Sequence, residues 1–254
     1  IHFTDTHFIP QGETLYGRDP AVALERCIED INQHHADAAR CVITGDLTHW
    51  GETEAFDHLK RHLDQLEIPL RLLVGNHDDR DVFRQWFPDH PSDENGFIQS
   101  VEDLPVGRFI YLDTNEPGHH EGWYCEARLQ WLEQQLAAAA EKEIYLFMHH
   151  PPFDIGIPAL DQISLVQKEA FSQIVSPYRD RVRHLFFGHI HRHARGTFAG
   201  GAYHVLPAFD AAGVGLVVGP GEWQPATFRG GEPETPDVEA AAAAELPGPC
   251  PWSE

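Results

Sequence analysis

The sequence predicts an α/β domain. Two observations carry that expectation. Short apolar runs alternate along the chain with amphipathic stretches of helical length, and five of those runs end in a polar loop bearing aspartate, asparagine or histidine. With 254 residues the chain suits one sizeable domain, or one domain and a small appendage, that buries its core without disulfide staples.

In chain order, residues 1–4 read as a strand. Asp19 then caps a helix reaching to about His35, with Pro20 in its first turn. Cys41–Thr44 is a second strand, residues 53–66 a helix and residues 70–74 a third strand. A short helix follows. Residues 97–101 and 108–112 then form a strand pair joined through Pro105 and Gly107. Residues 126–140, rich in Ala, Leu and Glu, give a helix. Residues 144–148 and 183–187 are strands with a helix between them. Past Gly188 the chain turns to glycine, valine and aromatic residues, and residues 203–206, Val214–Val218 and 223–228 read as antiparallel strands. Residues 1–229 thus read as the main domain, the late strands from about 195 onward serving as a cap or oligomer contact. Residues 230–254, rich in Pro, Glu and Ala, form a tail or arm.

The formal net charge of −22 argues against a nucleic-acid polymer or an anionic membrane as partner. It does not exclude a phosphate substrate, because two divalent cations would reverse the potential locally. No apolar run approaches the length of a membrane span, and no charged-then-apolar leader precedes Ile1, so a cytoplasmic location is expected. The four cysteines lack CxxC spacing: Cys27 and Cys41 read as buried thiols, and Cys250 sits in a Pro-Cys-Pro context compatible with exposure. Of the eighteen histidines, His34, His35, His58 and His62 fall on polar helix faces and read as surface residues.

The loops after the strands carry the chemistry. They are Asp5-Thr6-His7, Gly45-Asp46, Gly75-Asn76-His77-Asp78, His149-His150-Pro151-Pro152 and Gly188-His189-Ile190-His191. In open α/β sheets ligands bind beyond the carboxyl ends of the strands, so five such loops converge on one place. Carboxylate, imidazole and amide oxygen suit hard-to-borderline divalent metals. Two cations about 4 Å apart need a shared anionic ligand. Asp46 suits that role, since the glycine before it permits close backbone approach. Asp5 and His7, two apart, could chelate one metal; His189 and His191 can be split between two; Asn76 offers a neutral oxygen. Singly, each of these is an ordinary cap, turn or hydrogen-bonded histidine. Together and in order, they are not.

The set resembles the calcineurin-like metallophosphoesterase superfamily, from Asp5 to His191. Asp5-Thr6-His7-Phe8 with Gly12-Glu13, Leu15-Tyr16-Gly17, Asn76-His77-Asp78-Asp79 and the run from Phe147 to Pro152 are similar to its bacterial class III cyclic nucleotide phosphodiesterases and glycerophosphodiesterases. The resemblance implies a four-layer α/β/β/α sandwich with two mixed sheets flanked by helices. It implies one metal held by Asp5, His7, Asp46 and His191 and another held by Asp46, Asn76, His149 and His189. His77 would contact the phosphate and steady the leaving oxygen. The cofactors implied are two divalent ions per subunit, drawn from Mn, Fe, Zn or Co, and a homodimer or higher assembly is expected. By two-metal logic, a metal-activated hydroxide attacks phosphorus in line, and no Ser or Cys nucleophile is needed; Ser164 lacks the setting for one. Tyr16 and Arg18 are candidates to reach the substrate. His150 reads as a support for a ligand, His119, His120 and Trp123 as a loop bordering the pocket, and His204 as facing site or core. The function expected is hydrolysis of small phosphodiesters, cyclic nucleotides or glycerophosphodiesters. The alternatives are a phosphomonoesterase or nucleotide pyrophosphatase on the same centre, or a scaffold that has lost catalysis. A nuclease is disfavoured, because no basic patch with aromatics lies near these motifs.

Overall fold

The computed structural model describes residues 1–192 and the strand residues 194–198, 201–205, 214–218 and 223–227. The tail at 230–254, Cys250, and the side chain of His204 lie outside the described residues.

Among the described residues, eleven strands form two mixed sheets. The first has the order β11-β10-β1-β2-β3, with β1 (His2–Phe3), β2 (Cys41–Thr44) and β3 (Leu70–Leu73) parallel. Its other members, β10 (Val214–Val218) and β11 (Trp223–Thr227), form a hairpin that joins antiparallel to β1. The second sheet has the order β4-β5-β6-β7-β9-β8. Here β4 (Ser100–Leu104) pairs antiparallel with β5 (Gly107–Tyr111), and β5, β6 (Ile144–Phe147), β7 (Val182–Phe187) and β9 (Gly201–Val205) run parallel. An edge strand, β8 (Ala194–Phe198), closes that sheet antiparallel to β9.

Side-chain alternation sets the layers. Within β2, Cys41 and Ile43 enter one core cluster with α1 (Pro20–His34), α2 (Thr53–Leu63) and α3 (Arg80–Trp86). Val42 instead joins Leu73, Tyr111, Phe147 and Phe186 between the sheets. Leu185 and Phe187 of β7 face a third cluster with α4 (Glu126–Ala137) and α6 (Lys168–Val175), while Phe186 faces inward onto Phe147, ring centroids 4.8 Å apart. Strands buried on both faces read as unbroken apolar runs, which is why they were legible. The result is helix, sheet, sheet, helix: the expected four-layer sandwich.

The elements begin and end for local reasons. Helix α1 starts where the Asp19 carboxylate accepts from the Ala21 N–H, ahead of Pro20, and buries Leu24, Cys27, Ile28 and Ile31 on one face. Helix α2 stops at Leu63, short of the expected 66, because Gln65 and Leu66 N–H groups donate to His62 and Leu63 carbonyls in tighter i→i+3 turns. Helix α4 ends at Ala137, short of 140, where Ala140 adopts φ 49°. The strand expected at 97–101 begins at Ser100. Asp93 gathers the N–H groups of Asn95 and Phe97 on its carboxylate, and Phe97 lies under the Arg128 guanidinium, 4.3 Å from its ring centroid. The short helix α5 (Pro158–Asp161) precedes α6.

One expectation fails inside α2. His58 is 4% exposed, its Nδ1 donating to the Ile9 carbonyl at 2.9 Å and its ring set edge-on to Phe8; the His62 side chain is largely covered too. The segment after β1 folds over what had read as a polar helix face.

Candidate metal centre

All five loops meet at the carboxyl ends of the central strands. The first two are laced together by backbone: Asp5 N–H donates to the Gly45 carbonyl, His7 N–H to Asp46 and Phe8 N–H to Leu47, each within 3.0 Å. The third is pinned to the second by Asp78, whose buried carboxylate accepts from the N–H groups of Gly75, Leu47 and Thr48 and from the Thr48 hydroxyl. The fifth is fixed to the first by the His189 N–H, which reaches both oxygens of Asp5 at 3.0 and 3.2 Å.

The lacing bends the backbone hard. Among the described residues, seven non-glycine residues adopt positive φ, and five of them are expected ligands: Asp5 (56°), His7 (44°), Asp46 (47°), His189 (69°) and His191 (49°). That conformation disfavours residues with a Cβ, and its clustering marks a functional site. Two glycines make room. A Cβ on Gly45, itself at φ 100°, would lie 2.6 Å from His149 Nδ1, and one on Gly188 would press on Thr4 and on the Asp5 carboxylate.

Two groups of donors result. In the first, His191 Nε2 lies 3.0 Å from His7 Nε2 and 3.2 Å from Asp5 Oδ1, and His7 Nε2 lies 3.7 Å from Asp46 Oδ2. In the second, His149 Nε2 lies 3.2 Å from both Asp46 Oδ1 and Asn76 Oδ1. The two oxygens of Asp46 therefore divide between the groups. His149 donates from Nδ1 to the Thr44 carbonyl at 2.8 Å, which turns its Nε2 toward the two oxygens. Positive charge suits that meeting point, supplied by a proton on Nε2 or by a cation in its place. His189 adds a buried Nε2 with no hydrogen-bonding partner among the described residues. These residues fit a pair of divalent cations.

The electrostatics agree. Burial pushes the His7 and His189 imidazoles down to about 3, which keeps them neutral as ligands must be. Burial also opposes charge on His149, yet Asp46, Asp5 and the Thr44 carbonyl together raise it to about 9: the second group asks for a cation. Burial works against ionised Asp5 as well, but His191 and His149 outweigh it and hold the carboxyl at about 2. Asp46, likewise buried, is held well below the usual carboxylate range by His149, His77 and His7. Asp78 rises to about 6 through burial and the neighbouring Asp46.

His77 stands beside this set. Its N–H donates to Asp46 Oδ1 and its Nδ1 to the His49 carbonyl at 2.7 Å. His150 has both ring nitrogens engaged, Nδ1 with the Thr114 hydroxyl at 2.7 Å and Nε2 with the His120 carbonyl, and burial keeps it neutral. It is a support under the fourth loop. His120 borders the site, 3.5 Å from the Asn76 amide nitrogen, whereas His119 pairs with Glu121 and packs near Trp123. Tyr16 is 78% exposed at the tip of a tight turn closed by Leu15 and Arg18, with its ring edge toward His49. Ser164 is buried and donates to the Asp161 carbonyl, which leaves it no catalytic part.

Two features escaped the sequence reading. His49, buried, places Nδ1 3.3 Å from His7 Nδ1 and stacks on His77 at 5.1 Å. Nothing in Thr48-His49-Trp50 marks it out. The other is a sixth loop, Asp113-Thr114-Asn115. Asn115 donates to the Gly75 and Asp78 carbonyls, Asp113 takes the fork of Arg80, and the buried Arg128 holds the carbonyls of Asp113 and Asn115. That loop also follows an apolar strand, so the rule that found the other five would have found it.

The family of calcineurin-like phosphoesterases matches residues 1–193. The chain is 41% identical over 237 residues to a probable cyclic nucleotide phosphodiesterase of Rhodopseudomonas palustris, covering 90% of this chain and 85% of that one. It is 30% identical over 212 residues to a glycerophosphodiester phosphodiesterase of Enterobacter lignolyticus, covering 82% and 76%. In structure it is similar to a dimetal phosphatase from Danio rerio, with a TM-score of 0.70 at 16% identity, over 89% of this chain and 98% of that one. At that identity the likeness is one of fold.

Proposed function

The chain belongs to the calcineurin-like phosphoesterase family, and on that premise we propose that it is a two-metal phosphodiesterase acting on small diesters: 3′,5′-cyclic nucleotides, glycerophosphodiesters, or both. The observation that carries the reading is the convergence of His149 Nε2, Asp46 Oδ1 and Asn76 Oδ1 within 3.2 Å, joined through the two oxygens of Asp46 to the His7, His191 and Asp5 group. The relatives named above, one for each kind of diester, favour diesters over monoesters.

In this proposal Asp5, His7, Asp46 and His191 hold one cation, and Asp46, Asn76, His149 and His189 hold the other. Such cations, when bound, supply Lewis acidity and bring the pKa of water near 7. Manganese, iron, zinc and cobalt all suit the donors. Two carboxylates against two dications leave the centre positive, which draws a monoanionic diester to an otherwise acidic protein. His77, its Nδ1 committed to the His49 carbonyl, turns Nε2 to the phosphoryl group; protonated from solvent at that nitrogen, it would steady the developing charge and pass the proton to the leaving alkoxide. Asp78 and Asn115 hold the turn from which Asn76 and His77 project. Among the described residues no helix is long and apolar enough to cross a membrane.

The test is steady-state hydrolysis of 3′,5′-cyclic AMP, a glycerophosphodiester, and bis- and mono-p-nitrophenyl phosphate. Metal-stripped protein is compared with protein restored with Mn, Zn or Fe, beside Asp46→Ala. Metal-dependent diester turnover absent from the variant supports the proposal. Turnover of monoesters alone would replace it with a phosphomonoesterase.

A further inference from the structure

Resting on the diesterase reading, we infer that the cleft beside the metal centre is a nucleoside subsite, in which the substrate's base stacks on Trp50. The cleft has a volume of about 510 Å³ and is lined by Trp50, Asn76, His77, the first turn of α3, and the loop segments 95–97 and 117–118. Asn76 and His77 belong to both cleft and centre. A phosphoryl group seated at the centre therefore directs an ester substituent into the cleft. That volume lies in the range of small-molecule sites, and a glycerol would leave most of it empty. Two depressions of similar size, around Ser172–Asp180 and Asp161–Gln173, contain none of the candidate site residues.

The lining says what kind of substituent fits. Trp50 is 59% exposed at the rim of the cleft, which leaves a face of the indole open to a ligand. It is nonetheless anchored: its ring meets buried His49 edge-on at 4.3 Å and tilts toward His77 at 6.3 Å. The next residue, Gly51, lies so close to α3 that an added Cβ would stand 3.0 Å from Asp79 N. The indole is thus a fixed plane beside the residue proposed to touch phosphate, and an aromatic plane stacks on a base.

The charges in the cleft are already engaged. Arg80 grips Asp113 and the Asn115 carbonyl, Arg84 pairs with Asp81, and Asp79 caps α3 by accepting from Asp81 and Val82 N–H. Among the described residues that line the cleft, both guanidiniums already face carboxylates, and Asp78, Asp79 and Asp81 line it too, so a second phosphate is less suited to the place than a neutral group. A neutral ring that forms hydrogen bonds suits the place, and the exposed Asn95 side chain offers it both donor and acceptor.

The experiment uses metal-loaded wild type, Trp50→Ala and Trp50→Phe. Calorimetry compares binding of the product-like ligands AMP and glycerol 3-phosphate. Kinetics compare kcat/KM for 3′,5′-cyclic AMP and glycerophosphoethanolamine. The wild type is expected to bind AMP at least tenfold more tightly than glycerol 3-phosphate. In Trp50→Ala the preference for the nucleoside ligand should fall about ten- to a hundredfold, the range of one stacked base, and the loss should appear in KM more than in kcat. Trp50→Phe should keep most of the preference. Equal binding of the two ligands by wild type, or an unchanged ratio in Trp50→Ala, overturns the inference. Failure of the diesterase reading looks different: no diester is turned over with any metal, and the binding arm still decides the subsite.

Discussion

Replacing Gly188 by alanine adds one methyl group and, because Gly188 is not at positive φ, no backbone penalty. The methyl meets the Thr4 hydroxyl and an oxygen of the Asp5 carboxylate, and stands 3.0 Å from Thr4 Cβ. Something must move. Overpacking of this kind costs about 1–3 kcal/mol. For a chain of this length that lowers Tm by roughly 2–10 °C. The larger effect is chemical. Asp5 is held by the His189 N–H on both oxygens and faces His191 at 3.2 Å, and a shift of about 1 Å in such a group costs on the order of a hundredfold in rate. Metal affinity, measured calorimetrically on stripped protein, should fall at least tenfold and kcat/KM about a hundredfold. Adding Thr4→Ala separates the two contacts. The Thr4 hydroxyl is buried without a partner, so its removal is cheap. The double variant should regain part of the lost Tm while keeping the metal defect, since the clash with Asp5 persists. A Gly188→Ala protein with wild-type metal affinity and wild-type activity would refute the packing logic.

Other outcomes follow from single contacts. Thr114→Val removes the partner of His150 Nδ1 inside a dry site, so stability should drop by about 1–3 kcal/mol in denaturant titration. Metal affinity of the His149 group should weaken about tenfold, and an unchanged metal titration would mean that His150 does not support that loop. His90, which accepts from the Leu72 N–H at 3.1 Å, is held down to about 4 by burial and by Arg71. A histidine depressed in the fold must be neutral there. Its contribution is therefore complete above the unfolded value of about 6.5 and is lost as pH falls toward 4, up to about 3 kcal/mol in all. His90→Gln should flatten that part of the stability-against-pH curve, and a curve of unchanged slope would assign the acid loss to other groups.

The parts of this molecule that were legible in the sequence are those in which one residue reports its own environment. Unbroken apolar runs such as Cys41–Thr44 announce strands covered on both faces, and polar residues at their ends announce the site. What stayed hidden depends on a second segment arriving. His58 looks solvated until Phe8 and Ile9 lie across it. His49 gains its place only through His7 and His77. The edge strand Ala194–Phe198 carries Arg195, Gly196 and Thr197, and its partner β9 supplies the pairing that its pattern does not declare. The left-handed turns at the ligand positions leave no trace in residue type, since aspartate and histidine tolerate that conformation without requiring it.

Those turns bear on how the enzyme ages as a lineage. Each of Asp5, His7, Asp46, His189 and His191 sits where glycine would be at ease, at about 1 kcal/mol of backbone cost apiece. On the two-metal reading, ligand geometry is what keeps them there. A descendant freed from that demand sheds the strain only if it also replaces the contacts these side chains make, so the scaffold and the centre are tied together. Metal-free Asp5→Gly gives the measure: it relieves the turn but strips the His189 N–H and His191 of their acceptor, so it should unfold at lower denaturant than the metal-free parent, and a higher midpoint would show that the strain outweighs those contacts.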